Sequence, residues 1–365
     1  MKRDIYQEIT QKIILQLEQG ERPWVKPWNA EHAAGKITRP LRFNGQPYQG
    51  VNVLNLWMEA AERGYSAPIW MTFNQAKELG GSVRKGEKGS LSVHANTFKK
   101  TEINEDTGEE IEKDIPFLKA YTVFNVEQID NLPAQYYTLA QAPEITPAER
   151  IEAIEQFFKN TGATIKEGGN RAYYSITGDY IQMPPFVAFK DPESYYATLS
   201  HEATHWTRHP SRLNRDLGRK SWGDAGYAME ELVAELGSAY LAADLGLVPD
   251  VREENTAYIA SWLKVLNSDS RAIFTAASHA QKAAEHLHGY QTAPAPAPVI
   301  GTEAKAEEEA ENKAAQISRK LEAKHDFKAQ ATAIKPRQKK SRTKDVEGVN
   351  QLDMLNMFDC NDFSL

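Results

Sequence analysis

The chain has 365 residues, 41% hydrophobic, 25% charged and 10% aromatic, an ordinary globular composition with too much chain for one compact core, so two domains and a tail are expected. No run approaches the roughly 18 uninterrupted apolar residues of a membrane span, and the N-terminus MKRDIYQEITQKIILQLEQG has no signal-peptide core, so no membrane partner and a cytoplasmic location are expected. The single cysteine, Cys360, excludes an internal disulfide and a cysteine-based zinc ribbon; any metal must rest on histidines and carboxylates.

The net charge of -7 is segregated. Residues 1–100 carry 15 Lys and Arg against 9 Asp and Glu, whereas 101–140 carry 2 against 9. A locally basic surface on an acidic protein points to a polyanion partner, because the acidic remainder limits non-specific adhesion without cancelling contacts more than a Debye length away.

In chain order, Ile5, Ile9, Ile13, Ile14 and Leu17 recur at helical spacing before Gly20 and predict an opening amphipathic helix over 4–19. Pro23-Trp24 and Pro27-Trp28, with Lys26 between, read as an extended aromatic and basic element, since each proline disfavours helix at the residue before it. Helices follow at 51–63 and around Phe73, Ala76 and Leu79. The basic glycine-rich turn GGSVRKGEKGS leads into strands LSVHANTFKK and FLKAYTVFNVEQI, which flank an acidic loop at Thr101–Asp114. The first domain, residues 1–140, is therefore mixed α+β.

A helix at 147–159 opens a second domain, 141–290, in which Ala172–Ser175 and Tyr180–Met183 pair around a Thr177-Gly178-Asp179 turn. The rest is mainly helical. Asp191-Pro192 supplies an N-cap and first-turn proline for a helix through His201 and His205, and further helices are expected at 226–245, 255–267 and 270–288. Residues 291–365 turn into Ala/Pro repeats, an Ala/Glu/Lys run and a basic run over Lys335–Lys344, a composition expected to be disordered.

His201-Glu202-Ala203-Thr204-His205 places two imidazoles one turn apart on one helix face, able to share a zinc or another divalent ion. Tyr195, Tyr196, Leu199 and Trp206 around them argue for a buried helix rather than a solvated one. A water-activating site needs a third protein ligand and an open position. Ser211 stands where a metzincin would have its third histidine, and His209, before Pro210, falls past the helix end. The helix YAMEELVAELGSAYLAADLG is apolar almost all round, so Glu231 and Glu235 must find a cation or donors there. One turn apart, one of them, with Glu231 favoured, can bind the metal while the other accepts a hydrogen bond from a ligand imidazole. The alternative is a plain ion pair with Arg212 or Arg215. Glu202, on the same helix but set back from both histidines, is placed as a general base toward the activated water.

These residues carry a resemblance. SHEATHWTRHPSRLNRD, YAMEELVAELGSAYL and AYIASWLKVLNSDSRAIFTAASHAQKAAEHL resemble the zincin-like metallopeptidase domain of the ArdC family of plasmid antirestriction proteins. IYQEITQKIILQLEQGERPWVKPW, YQGVNVLNLW, PIWMTFNQAKELGGSVRKGEKGS and VFNVEQIDNLP resemble that family's single-stranded-DNA-binding domain and the N-terminal part of TraC-type conjugative primases. The resemblance spans about 1–290 and implies a metal-dependent protein that binds single-stranded DNA and shields incoming DNA from restriction during conjugation. It also implies a gluzincin-type site with Glu231 as third ligand and Glu235 behind it. A pure DNA-shielding module with a structural or vestigial metal site is the second reading. A primase-accessory protein is the third, disfavoured because the chain has no further domain large enough for nucleotidyl transfer.

For single-stranded DNA the candidates are Trp24, Lys26, Trp28, Arg84, Lys85 and Lys88, which interleave rings for stacking with cations for phosphates; Trp57 and Trp70 are assigned to the core. The Gly80–Gly89 loop lacks the G-x-x-x-x-G-K-[ST] pattern, so ATP hydrolysis is not implied. A peptidase site implies a protein substrate. In the tail, Gln351-Leu352-Asp353-Met354-Leu355 with Met357 and Phe358 is similar to pentapeptides that dock on the bacterial sliding clamp, against the plainer readings of a helix folding back or a non-specific apolar end.

Overall fold

The computed structural model describes residues 4–25, 38–103, 110–137, 147–218, 223–247 and 256–291. The opening helix α1 (Ile5–Glu18) starts on Asp4, whose carboxylate accepts from the Gln7 amide, and buries Ile9, Ile13, Ile14 and Leu17. Helix α2 (Val51–Arg63) and the short α3 (Phe73–Glu78) stand beside a mixed sheet of β1 (Leu41–Arg42), β2 (Ile69–Thr72), β4 (Ser90–Ile103) and β5 (Glu110–Asn125), in the order β1-β2-β5-β4. Strand β1 runs parallel to β2, while β2–β5 and β5–β4 are antiparallel. A separate two-stranded ladder joins β3 (Ser82–Val83) to β6 (Ile129–Asp130).

Strand β4 is an edge, and α2 covers it with polar side chains. Asn52 exchanges two hydrogen bonds with Val93, donating to its carbonyl and accepting from its amide at 2.7 Å each, and Asn55 donates to the Leu91 carbonyl at 2.7 Å. An edge satisfied in this way offers less to an incoming strand.

The β4–β5 ladder continues to the Ile103–Glu110 pair, so the strands run into the stretch expected as an acidic loop. Backbone pairing outlasts the apolar alternation there because the register is already set nearer the core.

The second region begins with α4 (Pro147–Asn160) and a three-stranded sheet of order β7-β9-β8, formed by β7 (Thr164–Glu167), β8 (Tyr173–Ser175) and β9 (Tyr180–Met183). Strands β8 and β9 are the predicted hairpin; β7 pairs parallel to β9 and was not expected from its half-exposed TIKE sequence. Four helices follow: α5 (Pro192–Trp206), α6 (Ala225–Leu245), α7 (Thr256–Ser268) and α8 (Ala272–His288). None of the helices among the described residues is long and apolar enough to cross a membrane.

The two domains share a continuous core. The described residues form one compact body, and one hydrophobic cluster runs from Ile9 in α1 to Leu287 in α8. The rings of Trp24 and Trp262 meet edge-on at 5.8 Å, as do those of Trp57 and Tyr240 at 6.0 Å. Polar bonds cross the same seam: Thr10 donates to the Ser270 carbonyl at 2.6 Å, Tyr240 to the Gly50 carbonyl at 2.9 Å, and Arg39 forks onto Asp244 with both contacts at 2.8 Å. A second, smaller cluster around Met71, Val126 and Ile129 belongs to the first region alone. The tail with its Lys335–Lys344 run and Gln351–Phe358 patch lies outside the described residues.

Candidate metal centre and nucleic-acid surface

Helix α5 begins as the sequence predicts. Asp191 caps it by accepting from the Ser194 amide at 2.7 Å, with Pro192 in the first turn. Every residue from Ser194 to Trp206 is buried, and the hydroxyls of Thr198, Ser200 and Thr204 return to carbonyls four residues back, satisfying themselves without a neighbour. Helix α6 starts on the Asp224 cap and ends on Gly246, whose φ of 66° lies in the left-handed region glycine tolerates. The two helices approach closely because position 237 is glycine: a Cβ there would sit 2.5 Å from Thr204 Cγ2 and 2.6 Å from its Oγ1. That contact brings the turn holding Glu230, Glu231 and Glu235 against His201 and His205.

His201, His205 and Glu231 each offer one donor atom, all within 4.8 Å of one another. His201 Nε2 lies 3.5 Å from Glu231 Oε2, and His205 Nε2 lies 3.7 Å from Glu231 Oε1. Tetrahedral bonds of roughly 2.0–2.2 Å place their donors about 3.4 Å apart, so the trio fits a divalent ion of zinc type without large movement. Two imidazoles and one carboxylate are the donor set of a catalytic rather than a closed structural site. Glu202 is buried on the same turn of α5.

The imidazoles are backed by carboxylates on their other nitrogens. His205 Nδ1 is 3.0 Å from Glu230 Oε1, and Arg215 clasps Glu230 with Nε on Oε2 and Nη2 on Oε1, both at 2.8 Å. Arg215 also donates to the Thr204 carbonyl and Thr207 Oγ1. His201 Nδ1 faces Glu235 Oε1 at 3.5 Å, and Arg22, from the segment after α1, reaches Glu235 Oε2 at 3.3 Å.

The electrostatics follow from this crowding. Burial pushes the Glu230 carboxyl up, but the bonds from Arg215 and His205 prevail and hold it at about 2. Burial acts the same way on Glu231, which the two histidines hold well below the carboxylate range. Burial lowers His205, yet Glu231 and Glu230 outweigh it and push it up to about 10. Such a pocket strongly favours bound positive charge.

Sequence reasoning brought His201, Glu202, His205, Glu231 and Glu235 to one place, and they are together. It missed Glu230, although the Glu230-Glu231 doublet on a buried helix was a readable signal. Arg215 pairs with Glu230, not with either glutamate considered for it, and Arg212 instead binds Asp179 and lies 3.8 Å over the Trp206 ring. His209 is bonded to Ser211 outside the site.

The nucleic-acid candidates divide. Trp24 is fully buried against Trp262, so it is a core residue and not an exposed stacking ring. Its Pro23 turn folds inward because the indole has an aromatic partner 238 positions along the chain, which local spacing cannot reveal. Lys26 and Trp28 lie outside the described residues. Arg84 is exposed but engaged by Glu87 and Asp130 and bonded to the Glu127 carbonyl. Lys85 and Lys88 are exposed on the Gly80–Ser90 turn. Trp57 and Trp70 are core, as expected.

Comparison with known proteins agrees with this anatomy. Residues 3–124 match the family described as the N-terminal domain of anti-restriction factor ArdC, and residues 152–279 match a zincin-like metallopeptidase family. An uncharacterized protein, y4eC, of Sinorhizobium fredii (strain NBRC 101917 / NGR234) is 42% identical, over 79% of this chain and 93% of its own. The DNA primase TraC of Escherichia coli is 35% identical over 80% of this chain, which spans only 28% of that primase. Two crystal structures of antirestriction ArdC from plasmid R388 are similar, each over 79% of this chain and 98% of theirs. The metal-free form shares 49% identity with a TM-score of 0.66, and the Mn(II)-bound form 46% with a TM-score of 0.65. With both regions matched in order and a divalent-metal site of two histidines and a glutamate in the second, the chain belongs to the ArdC family of antirestriction proteins.

Proposed function

We propose that this protein binds single-stranded DNA through its N-terminal region and carries a hydrolytic, peptidase-type metal centre, and that it protects incoming plasmid DNA from restriction during conjugation. The observation that carries the hydrolytic part is the convergence of His201, His205 and Glu231 beside Glu202, with a carboxylate behind each imidazole. A divalent ion held by that trio supplies Lewis-acid activation of water and of a carbonyl. Glu230 and Glu235 orient the imidazoles so that their Nε2 atoms face the ion. Glu202 takes the proton from the attacking water and returns it to the leaving amine.

The DNA-binding part rests on the excess of cations in residues 1–100 and on side chains that remain at the surface. Lys85 and Lys88 supply phosphate contacts; Phe73, 55% exposed, and Tyr121, with Lys119 Nζ 5.0 Å from its ring centre, supply stacking faces in place of Trp24. The likeness to the ArdC N-terminal domain and to TraC primases supports this reading.

Glu202→Gln tests the hydrolytic reading. The amide keeps the shape but cannot accept the proton, so metal content and fold should be retained while cleavage of a denatured protein substrate falls by at least about 100-fold. Undiminished cleavage removes Glu202 as base. Full protection of DNA by this variant in a conjugation assay favours shielding alone, with the metal centre structural.

A further inference from the structure

The supports behind the two imidazoles are alike in chemistry and unlike in origin. Behind His205 stand Glu230 and Arg215, both within 25 residues and joined by two bonds of 2.8 Å. Behind His201 stand Glu235 and Arg22, and Arg22 comes from the other sequence region, 213 positions from Glu235. We infer that Arg22 is a positioning residue of the metal centre: it holds Glu235 as the acceptor for His201 and keeps that glutamate out of the metal's coordination sphere, so the N-terminal region completes the site. This rests on His201, His205 and Glu231 being the ligands.

The argument begins with tautomers. An imidazole that binds a cation through Nε2 carries its proton on Nδ1, and that N–H needs an acceptor when buried. His201 Nδ1 is buried and forms no hydrogen bond among the described residues, and Glu235 Oε1 faces it from 3.5 Å. Glu235 is therefore the carboxylate placed to receive it, by a closure of a few tenths of an ångström.

That assignment puts a third carboxylate beside Glu230 and Glu231. Arg215 neutralises the first, and an ion neutralises the second. Glu235, with 8% side-chain exposure, is too buried for water to neutralise it, and Arg22, at 6%, is a cation in contact with its far oxygen. The contact also acts by direction. With Oε2 turned to the guanidinium and Oε1 to His201, Glu235 is held from swinging toward the ligand atoms one turn away, where a fourth protein donor would close the position a hydrolytic site keeps open.

Arg22 is itself held. It follows Gly20, whose φ of 77° turns the chain after α1, and it precedes Trp24, which anchors the segment against Trp262. The segment expected to carry an exposed stacking ring instead packs inward and brings a charge to the metal centre.

The test uses the full-length protein and Co(II), whose visible absorption reports coordination geometry, with affinity measured by chelator competition. Arg22→Gln should weaken Co(II) binding about 10–100-fold and change the spectrum, as loss of an outer support does at other metal sites. Arg22→Lys should recover most of the affinity. In a Glu235→Gln background Arg22→Gln should cost nothing further, because the arginine acts through that glutamate. Leu54→Ala, a packing change in α2 away from this segment, should lower the melting temperature yet leave the affinity and spectrum of the folded protein unchanged. Arg22→Met, with an apolar chain of similar length, takes the place of Arg22→Gln if the amide does not fold. Folded Arg22→Gln or Arg22→Met with wild-type affinity and spectrum, while His201→Ala loses Co(II), overturns the inference and leaves the ligand assignment standing. Losses that add in the double variant also overturn it. Failure of the wild type to bind Co(II) removes the ligand assignment and this inference with it.

Discussion

The metal centre and the Gly80–Ser90 turn are both dense in charge, and the protein handles them in opposite ways. Inside the metal centre Arg22, Arg215, Glu230, Glu231 and Glu235 are all nearly excluded from solvent, and the carboxylates meet guanidinium groups or imidazoles. On the turn, Arg84 is spent on holding the loop through Glu87, Asp130 and a backbone carbonyl, while Lys85 and Lys88 project into solvent. A buried charge is costly unless its partner is built in, whereas an exposed one costs little to leave for a partner that arrives later. The first arrangement is thus a preformed site, and the second leaves cations at the surface for the DNA proposed to bind there.

That contrast is open to attack first at its most buried pair. Glu230→Ala leaves Arg215, with 1% side-chain exposure, unpaired inside the protein and should lower the unfolding free energy by about 3–5 kcal/mol in urea denaturation. A loss under about 1 kcal/mol would show that water enters and that the centre is not preformed. Trp24→Ala bears on the boundary between the two kinds of surface: it should cost about 3–5 kcal/mol through the cavity left against Trp262 while the folded variant keeps its affinity for single-stranded DNA. The reverse pattern, stable protein and weakened DNA binding, would return Trp24 to the surface.

A smaller effect sharpens the role of buried charge at the seam. Burial pushes the Asp244 carboxyl up, but hydrogen bonds from His288 and Arg39 prevail and hold it below its ordinary range. A depressed carboxyl adds stability above its unfolded value, and that contribution is lost as pH falls through the folded one. Asp244→Asn should therefore cost about 1.5–3 kcal/mol at pH 7, and the gap from wild type should shrink below about pH 4. A gap independent of pH would mean the loss comes from packing. The smallest change in stability, within about 0.5 kcal/mol, is expected for Lys85→Glu with Lys88→Glu. That variant should nonetheless bind single-stranded DNA more weakly, with the salt slope reduced by about 0.7 for each phosphate contact removed. An unchanged slope would place the DNA elsewhere.

Local patterns in the chain were enough to place the helices and the candidate ligands they carry. Asp191-Pro192 and the apolar run behind it start α5 where it begins, and the four-residue spacing of His201 and His205 can only put both rings on one face of that helix. Glu231 and Glu235 were legible as a pair because carboxylates on a helix apolar all round must meet cations or donors, and the family resemblance favoured Glu231 as the ligand. The partners of those groups were not legible, because nothing within a helical turn specifies them. Arg22 reaching Glu235, Arg215 choosing Glu230, Trp24 meeting Trp262 edge-on and the seam that joins two sequence regions into one body all depend on which distant surfaces meet. Exposure was decided there too: an aromatic beside a lysine looks the same in sequence whether its ring faces DNA or the core, and only the closing of α1 and its following turn onto α7 buried Trp24, because two large indoles packed edge to face remove more apolar surface from water than either could alone.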